Sequence, residues 1–121
     1  MAELNYRCGV EVTLATIGGK WKGLILWHLR LKTLRFSQLQ RRLQTVTQKM
    51  LTQQLRELEA DGLVHRQVYA EVPPRVEYSL TERGTSVVPI LELMCDWGQD
   101  YLKETKGIDL ACSNLNLPAT A

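Results

Sequence analysis

Between positions 48 and 56 the chain gathers side chains suited to reading a polar surface: Gln48, Lys49, Thr52, Gln53 and Arg56. At ~100° per residue these five share one arc of a helix, while Leu51, Leu55 and Leu58 fall on another. Carboxamides, an ammonium, a hydroxyl and a guanidinium form a set of hydrogen-bonding groups with no acid among them. Gln makes a bidentate pair with adenine, and Lys or Arg donates to guanine O6 and N7. The enclosing segment, Thr47 to Gly62 (TQKMLTQQLRELEADG), opens on an N-cap residue and closes on a glycine stop. Helices favour acids early and bases late, each worth ~0.3–1 kcal/mol. Here Lys49 is early, and Glu57, Glu59 and Asp61 are late. A helix that forgoes this stabilisation suits insertion into a DNA major groove, with its late acids held away from the phosphates.

That helix needs elements to position it. Val10, Leu14 and Ile17 predict a first helix ending at Gly18-Gly19, and Lys20 to Leu29 predicts a second with Trp21, Leu24, Ile25, His28 and Leu29 inward. Gly23 costs that helix about 1 kcal/mol relative to Ala unless close packing requires it. Ser37 as N-cap and Gln40 at N3 read as a capping box opening a short helix to about Leu43. With the helix at Thr47 this makes a helix-turn-helix. Period-two alternation over Leu63–Tyr69 and Arg75–Leu80, joined by a connection containing Pro73-Pro74, predicts a hairpin, and a hairpin appended to a helix-turn-helix is a winged helix.

Thr81 caps a last long helix to about Lys103, which Pro89 kinks or starts late. Its apolar stripe, including Leu91, Met94, Trp97 and Tyr101, is too broad for one small chain to cover, so it predicts a homodimer interface with the N-terminal segment. The fold class expected is mostly α, α+β: a winged helix-turn-helix over residues 8–106 with a long C-terminal dimerisation helix. Residues 107–121 form a polar tail with no clear period.

Composition agrees with one ordinary domain of 121 residues, 45% hydrophobic and 23% charged. The net charge of +2 conceals an asymmetry: residues 1–66 carry +6 and the rest −4. A basic half of this kind suits a polyanion. No apolar run spans a membrane and the N-terminus lacks signal-peptide character, which places the chain in the cytoplasm. Cys8, Cys95 and Cys112 show no CxxC spacing, so neither a structural zinc nor a disulfide framework is expected, and no cofactor is called for. A thiol enzyme using Cys8 or Cys95 lacks a recognisable base and an oxyanion or phosphate loop.

The strings GGKWKGLIL (18–26), LRFSQLQRRL (34–43), QKMLTQQLRELEADGLVHR (48–66) and VPPRVEYSLTERG (72–84) together resemble the HxlR-type winged-helix transcriptional regulators, a branch related to the MarR superfamily. The resemblance covers roughly residues 8 to 102. It implies a homodimeric double-stranded-DNA-binding regulator, usually a repressor, of palindromic or near-palindromic operators. The chain departs from the family at Cys8-Gly9, where Cys-Pro is usual, at Gly23, usually bulkier, and at Thr45-Val46-Thr47, commonly Gly-Ile-Ser. On this reading Lys49, Thr52, Gln53 and Arg56 read bases, and Gln48 meets a base or a phosphate. Thr47 and Ser37 offer hydroxyls at helix N-termini to phosphates. Arg35, Arg41 and Arg42 serve the backbone, and Arg75 is the wing contact, although Glu71 opposes insertion of the wing tip. Some family members sense electrophiles or oxidants through a cysteine near the N-terminus, which Cys8 resembles. The resemblance therefore implies a small electrophile or oxidant as the candidate inducer. Cys95 is expected to be a small buried hydrophobe. Cys112 is read as a bystander or a resolving thiol. The competing function is a winged-helix protein-interaction module, against which the charged recognition surface argues.

Overall fold

Apolar residues three and four apart set the first helices of the computed structural model, which describes residues 5–110. α1 (Gly9–Ile17) leaves Val10 and Leu14 exposed and buries Ile17, so it meets the core through its last turn. α2 (Lys22–Leu29) buries Ile25, Leu26 and Leu29. Leu34–Arg35 then forms a two-residue strand, β1, too short to show any period. It pairs antiparallel with β3 (Arg75–Leu80), placing Leu34 opposite Tyr78. β2 (Val64–Tyr69) pairs along the other edge of β3, from Val64–Leu80 to Tyr69–Arg75, and completes the order β1-β3-β2.

β1 corrects the expected capping box. Because α3 (Phe36–Leu43) begins where the strand ends, Arg35 takes the N-cap position and its N–H donates to Gln38 Oε1 at 2.8 Å. Ser37 lies inside the first turn rather than at the cap, and Gln40 is one turn further on. α3 ends at Gln44, with φ 62° and ψ −71°. The Thr45 N–H donates to Leu43 O across it at 2.7 Å, a γ-turn of the strained, positive-φ kind. Val46 then enters the core at 4% exposure. Thr47 caps α4 (Gln48–Ala60) as expected, its Oγ1 accepting from the Met50 N–H at 3.0 Å.

α4 stops at Gly62, whose φ of 82° is open to glycine without steric cost. Its N–H donates to Glu59 O at 3.0 Å and that of Leu63 to Leu58 O at 2.9 Å, a complete Schellman motif. The chain passes straight into β2. Thr81 returns to the same point after β3, its Oγ1 donating to Gly62 O at 2.6 Å and its N–H to Leu63 O at 3.1 Å. Gly84 approaches so closely that a Cβ there would collide with the Leu63 carbonyl.

The stretch expected as one final helix divides in two. Thr81 caps only α5 (Glu82–Thr85), accepting from the Gly84 N–H at 3.0 Å. Pro89 marks a late true start: it sits in the first turn of α6 (Val88–Lys106), where its missing N–H forfeits nothing. Gly107 ends α6 with φ 66°. The expected tail, beyond residue 110, and Cys112 lie outside the described residues. No described helix is long and apolar enough to cross a membrane.

One core joins these elements: Ile25, Leu26, Leu34, Leu39, Leu51, Leu55, Leu58 and Val64 are essentially inaccessible. Each of the three α4 leucines contributes ~1.5–3 kcal/mol by burial. α2 packs on both α4 and α6. Leu91 is buried in this core at 5% exposure, which removes it from the candidate dimer face. A Cβ at Gly23 would meet Leu91 Cδ2 at 3.8 Å, an ordinary contact, so close packing does not demand this glycine.

Candidate nucleic-acid interface

With Leu51, Leu55 and Leu58 drawn inward, α4 turns its opposite face to solvent. Gln48, Lys49, Thr52, Gln53 and Arg56 line one continuous surface with Glu57 and Ala60. The helix has no acid in its first turn and no base in its last. Thr52 Oγ1 donates to Gln48 O at 2.8 Å, so its hydroxyl remains an acceptor for an incoming donor. Gln53 Nε2 donates to Glu57 Oε2 at 3.1 Å.

Glu57 corrects the expectation that the late acids stand clear of the reading surface, because it lies on it. Its charge is matched by Lys22 at the start of α2, Nζ to Oε1 2.7 Å. Hydrogen bonds from Lys22 and Gln53, in that order, hold its carboxyl below the usual carboxylate range. Lys22 belongs to the GGKWKG string, where its family resemblance was legible but its partner was not.

A second hollow of about 390 Å³ lies between α4 and the sheet, lined by Gln48, Thr52, Arg56, Glu59, Arg66 and Tyr78 among others. Arg66, on β2, was missed as a site residue. Its signal was faint, a lone base in phase with the apolar Val64 and Val68, on a strand whose residues 65–68 are all exposed. Phe36 also lines this hollow, and Arg35 and Ser37 flank it at the start of α3. Arg75 is placed elsewhere. It pairs with Glu71 at 3.1 Å and Glu77 at 3.6 Å, and its guanidinium lies 4.0 Å from the Tyr69 ring centroid.

Cys8 is exposed, a free thiol at the N-cap of α1, and the Arg7 N–H beside it donates to Glu11 Oε2 at 3.0 Å. Cys95 is part-exposed and disulfide-bonded, where a small buried hydrophobe was expected. On α6, Leu93, Met94, Trp97 and Tyr101 are exposed, and the last two rings stack at 5.1 Å.

A helix-turn-helix followed by a β-hairpin, with the short strand β1 before it completing the sheet, defines the winged-helix class of DNA-binding transcriptional regulators. Within it the chain belongs to the HxlR-like helix-turn-helix family, whose model matches residues 16–106. It is 56% identical over 101 residues to an HTH-type transcriptional regulator of Methanothermobacter thermautotrophicus, covering 84% of this chain and 77% of the relative. Among solved structures it is similar to the redox regulator HypR in its reduced form, at 50% identity and TM-score 0.79, over 84% of this chain and 100% of that one. The oxidised form of HypR matches at 55% identity and TM-score 0.74, over 77% and 96%. The protein is thus a helix-turn-helix transcriptional regulator.

Proposed function

We propose that the protein acts as a homodimeric repressor of a palindromic or near-palindromic operator, with α4 of each protomer in a major groove. The carrying observation is the solvent face of α4, where Gln48, Lys49, Thr52, Gln53 and Arg56 lie together and the nearest acid is already paired. Phosphate contacts from Thr47, Arg35 and neighbouring bases supply affinity, and the α4 side chains supply specificity. Arg66 and the first turn of α3 border the same groove wall. The exposed stripe of α6, with Val10 and Leu14 of α1, supports dimerisation, since contiguous apolar surface of this kind marks an association face. A two-fold dimer sets its recognition helices about one DNA turn, ~34 Å, apart.

Cys8 is the site at which a small electrophile or oxidant would act. It is accessible and stands two residues before Val10, so modification there changes the edge of the dimer face. HypR, half identical to this chain, is described as a redox regulator and has reduced and oxidised structures.

Selection of bound DNA from a random pool, under reducing and oxidising conditions, tests the reading. The expected yield is an inverted repeat enriched only under reducing conditions. No enriched sequence in either arm favours a protein-interaction module instead. Cys8→Ser should keep DNA binding after oxidant treatment; equal loss in the variant and the unaltered protein removes Cys8 as the switch.

A further inference from the structure

We propose that Lys22, outside the recognition helix, is a specificity-determining positioning residue: it fixes Glu57, and Glu57 fixes the carboxamide of Gln53. The inference rests on α4 being the DNA-reading helix and deepens it.

The three side chains form one chain of contacts, Lys22 Nζ to Glu57 Oε1 at 2.7 Å and Gln53 Nε2 to Glu57 Oε2 at 3.1 Å. Lys22 is anchored, its side chain only 12% exposed, while Glu57 is 42% exposed at the groove face. An ionised carboxylate only accepts hydrogen bonds, so it selects one of the two flips of a glutamine amide. Gln53 therefore meets DNA with its NH₂ turned towards Glu57. One N–H is spent on the tether, leaving the other N–H and the carbonyl for the bidentate pair that glutamine makes with adenine. An untethered glutamine must order its full rotamer freedom on binding, among the largest of any side chain. Lys22 also screens Glu57 from the phosphates, so removing it frees the carboxylate to repel DNA and releases Gln53 together.

The position of Lys22 adds to this role. It opens α2, which packs on both α4 and α6, and its neighbour Gly23 lies against Leu91 of α6. The tether thus originates on the helix that joins the reading surface to the candidate dimer surface.

The test compares unaltered protein, Lys22→Met, Lys22→Arg, Glu57→Gln and Gln53→Ala on operator variants substituted one base pair at a time. Circular dichroism and thermal melts establish that each variant folds. For Lys22→Met we expect discrimination to fall roughly threefold to tenfold at the single base pair sensed by Gln53, a part of what a bidentate pair supplies. Preferences elsewhere should persist, Lys22→Arg should restore the profile, and Lys22→Met should add nothing at that base pair when Gln53 is already Ala. A folded Lys22→Met with uniformly weaker binding and an unchanged preference profile overturns the proposal while leaving the DNA-reading role of α4 intact. A Gln53→Ala profile identical to that of the unaltered protein overturns the proposal and removes Gln53 from the reading set, whereas unaltered protein that shows no preference among the operator variants overturns the DNA-reading role of α4 as well. Without DNA, the Gln53 side-chain NH₂ resonances should move in Glu57→Gln and Lys22→Met; resonances unmoved in both overturn the tether itself.

Discussion

Arg56 faces two surfaces at once, the outer arc of α4 and the hollow shared with Arg66 and Tyr78. That position lets one guanidinium reach a base edge with the adjoining backbone in range. Arg56→Ala should therefore cost ~1–3 kcal/mol of operator affinity and relax specificity at one position, which a gel-shift titration measures. Unchanged affinity removes Arg56 from the site. A different kind of residue-scale prediction comes from His28. Burial first, then Arg42 and Arg30, lower its pKa to about 4. The unfolded imidazole takes up a proton below ~6.5, whereas the folded one remains neutral until about 4. Between those values the unfolded chain binds more protons, so the contribution is complete above 6.5 and is lost as pH falls towards 4. For a part-buried group the discounted loss is about 2 kcal/mol. Urea titrations at pH 4.5 and 7 should show it, and His28→Leu should flatten that limb; an equally steep limb in the variant assigns the acid sensitivity elsewhere.

At the scale of elements, the turn between α3 and α4 holds stored strain. Gln44 adopts φ 62°, a backbone region that a residue with a Cβ enters at a cost. Gln44→Gly should relieve the γ-turn and, after the entropy glycine adds to the unfolded chain, raise stability by about 1 kcal/mol. The reading predicts a higher urea midpoint at unchanged slope, and a lower midpoint would count against it. Sequence patterns resolved the long elements well, because Leu51, Leu55 and Leu58 repeat a period that burial enforces. They failed where an element was too short to have a period. β1 contributes only Leu34 and Arg35, yet it moves the cap of α3 from Ser37 to Arg35. The arc of α4 was legible for the same periodic reason. The Lys22–Glu57 pair was not, since its partners come from different helices and only packing brings them within 2.7 Å.

For the whole molecule, the proposed assembly rests on α6. Leu93, Met94, Trp97 and Tyr101 are between 52% and 69% exposed, and burying such side chains is worth several kcal/mol together. Trp97→Asp should convert a dimer to a monomer in sedimentation equilibrium and, by separating the two recognition helices, weaken binding to a two-half-site operator more than to one half-site. A dimer that persists in Trp97→Asp places the interface elsewhere. The distribution of charge makes a related point: Arg75 is already neutralised by Glu71 and Glu77, so the steep salt dependence expected of the complex originates in α3, α4 and Arg66.

The meeting of Gly62 and Thr81 has a mechanical consequence. The end of α4, the root of the hairpin and the start of α5 are riveted at one spot by two hydrogen bonds from Thr81, and Gly84 leaves no slack beside them. A structure joined this way has no hinge between its reading head and its wing. In the proposed dimer, a signal at the N-terminal thiol or the α6 stripe would swing each head as a single lever, changing the span between two heads and not the shape of either.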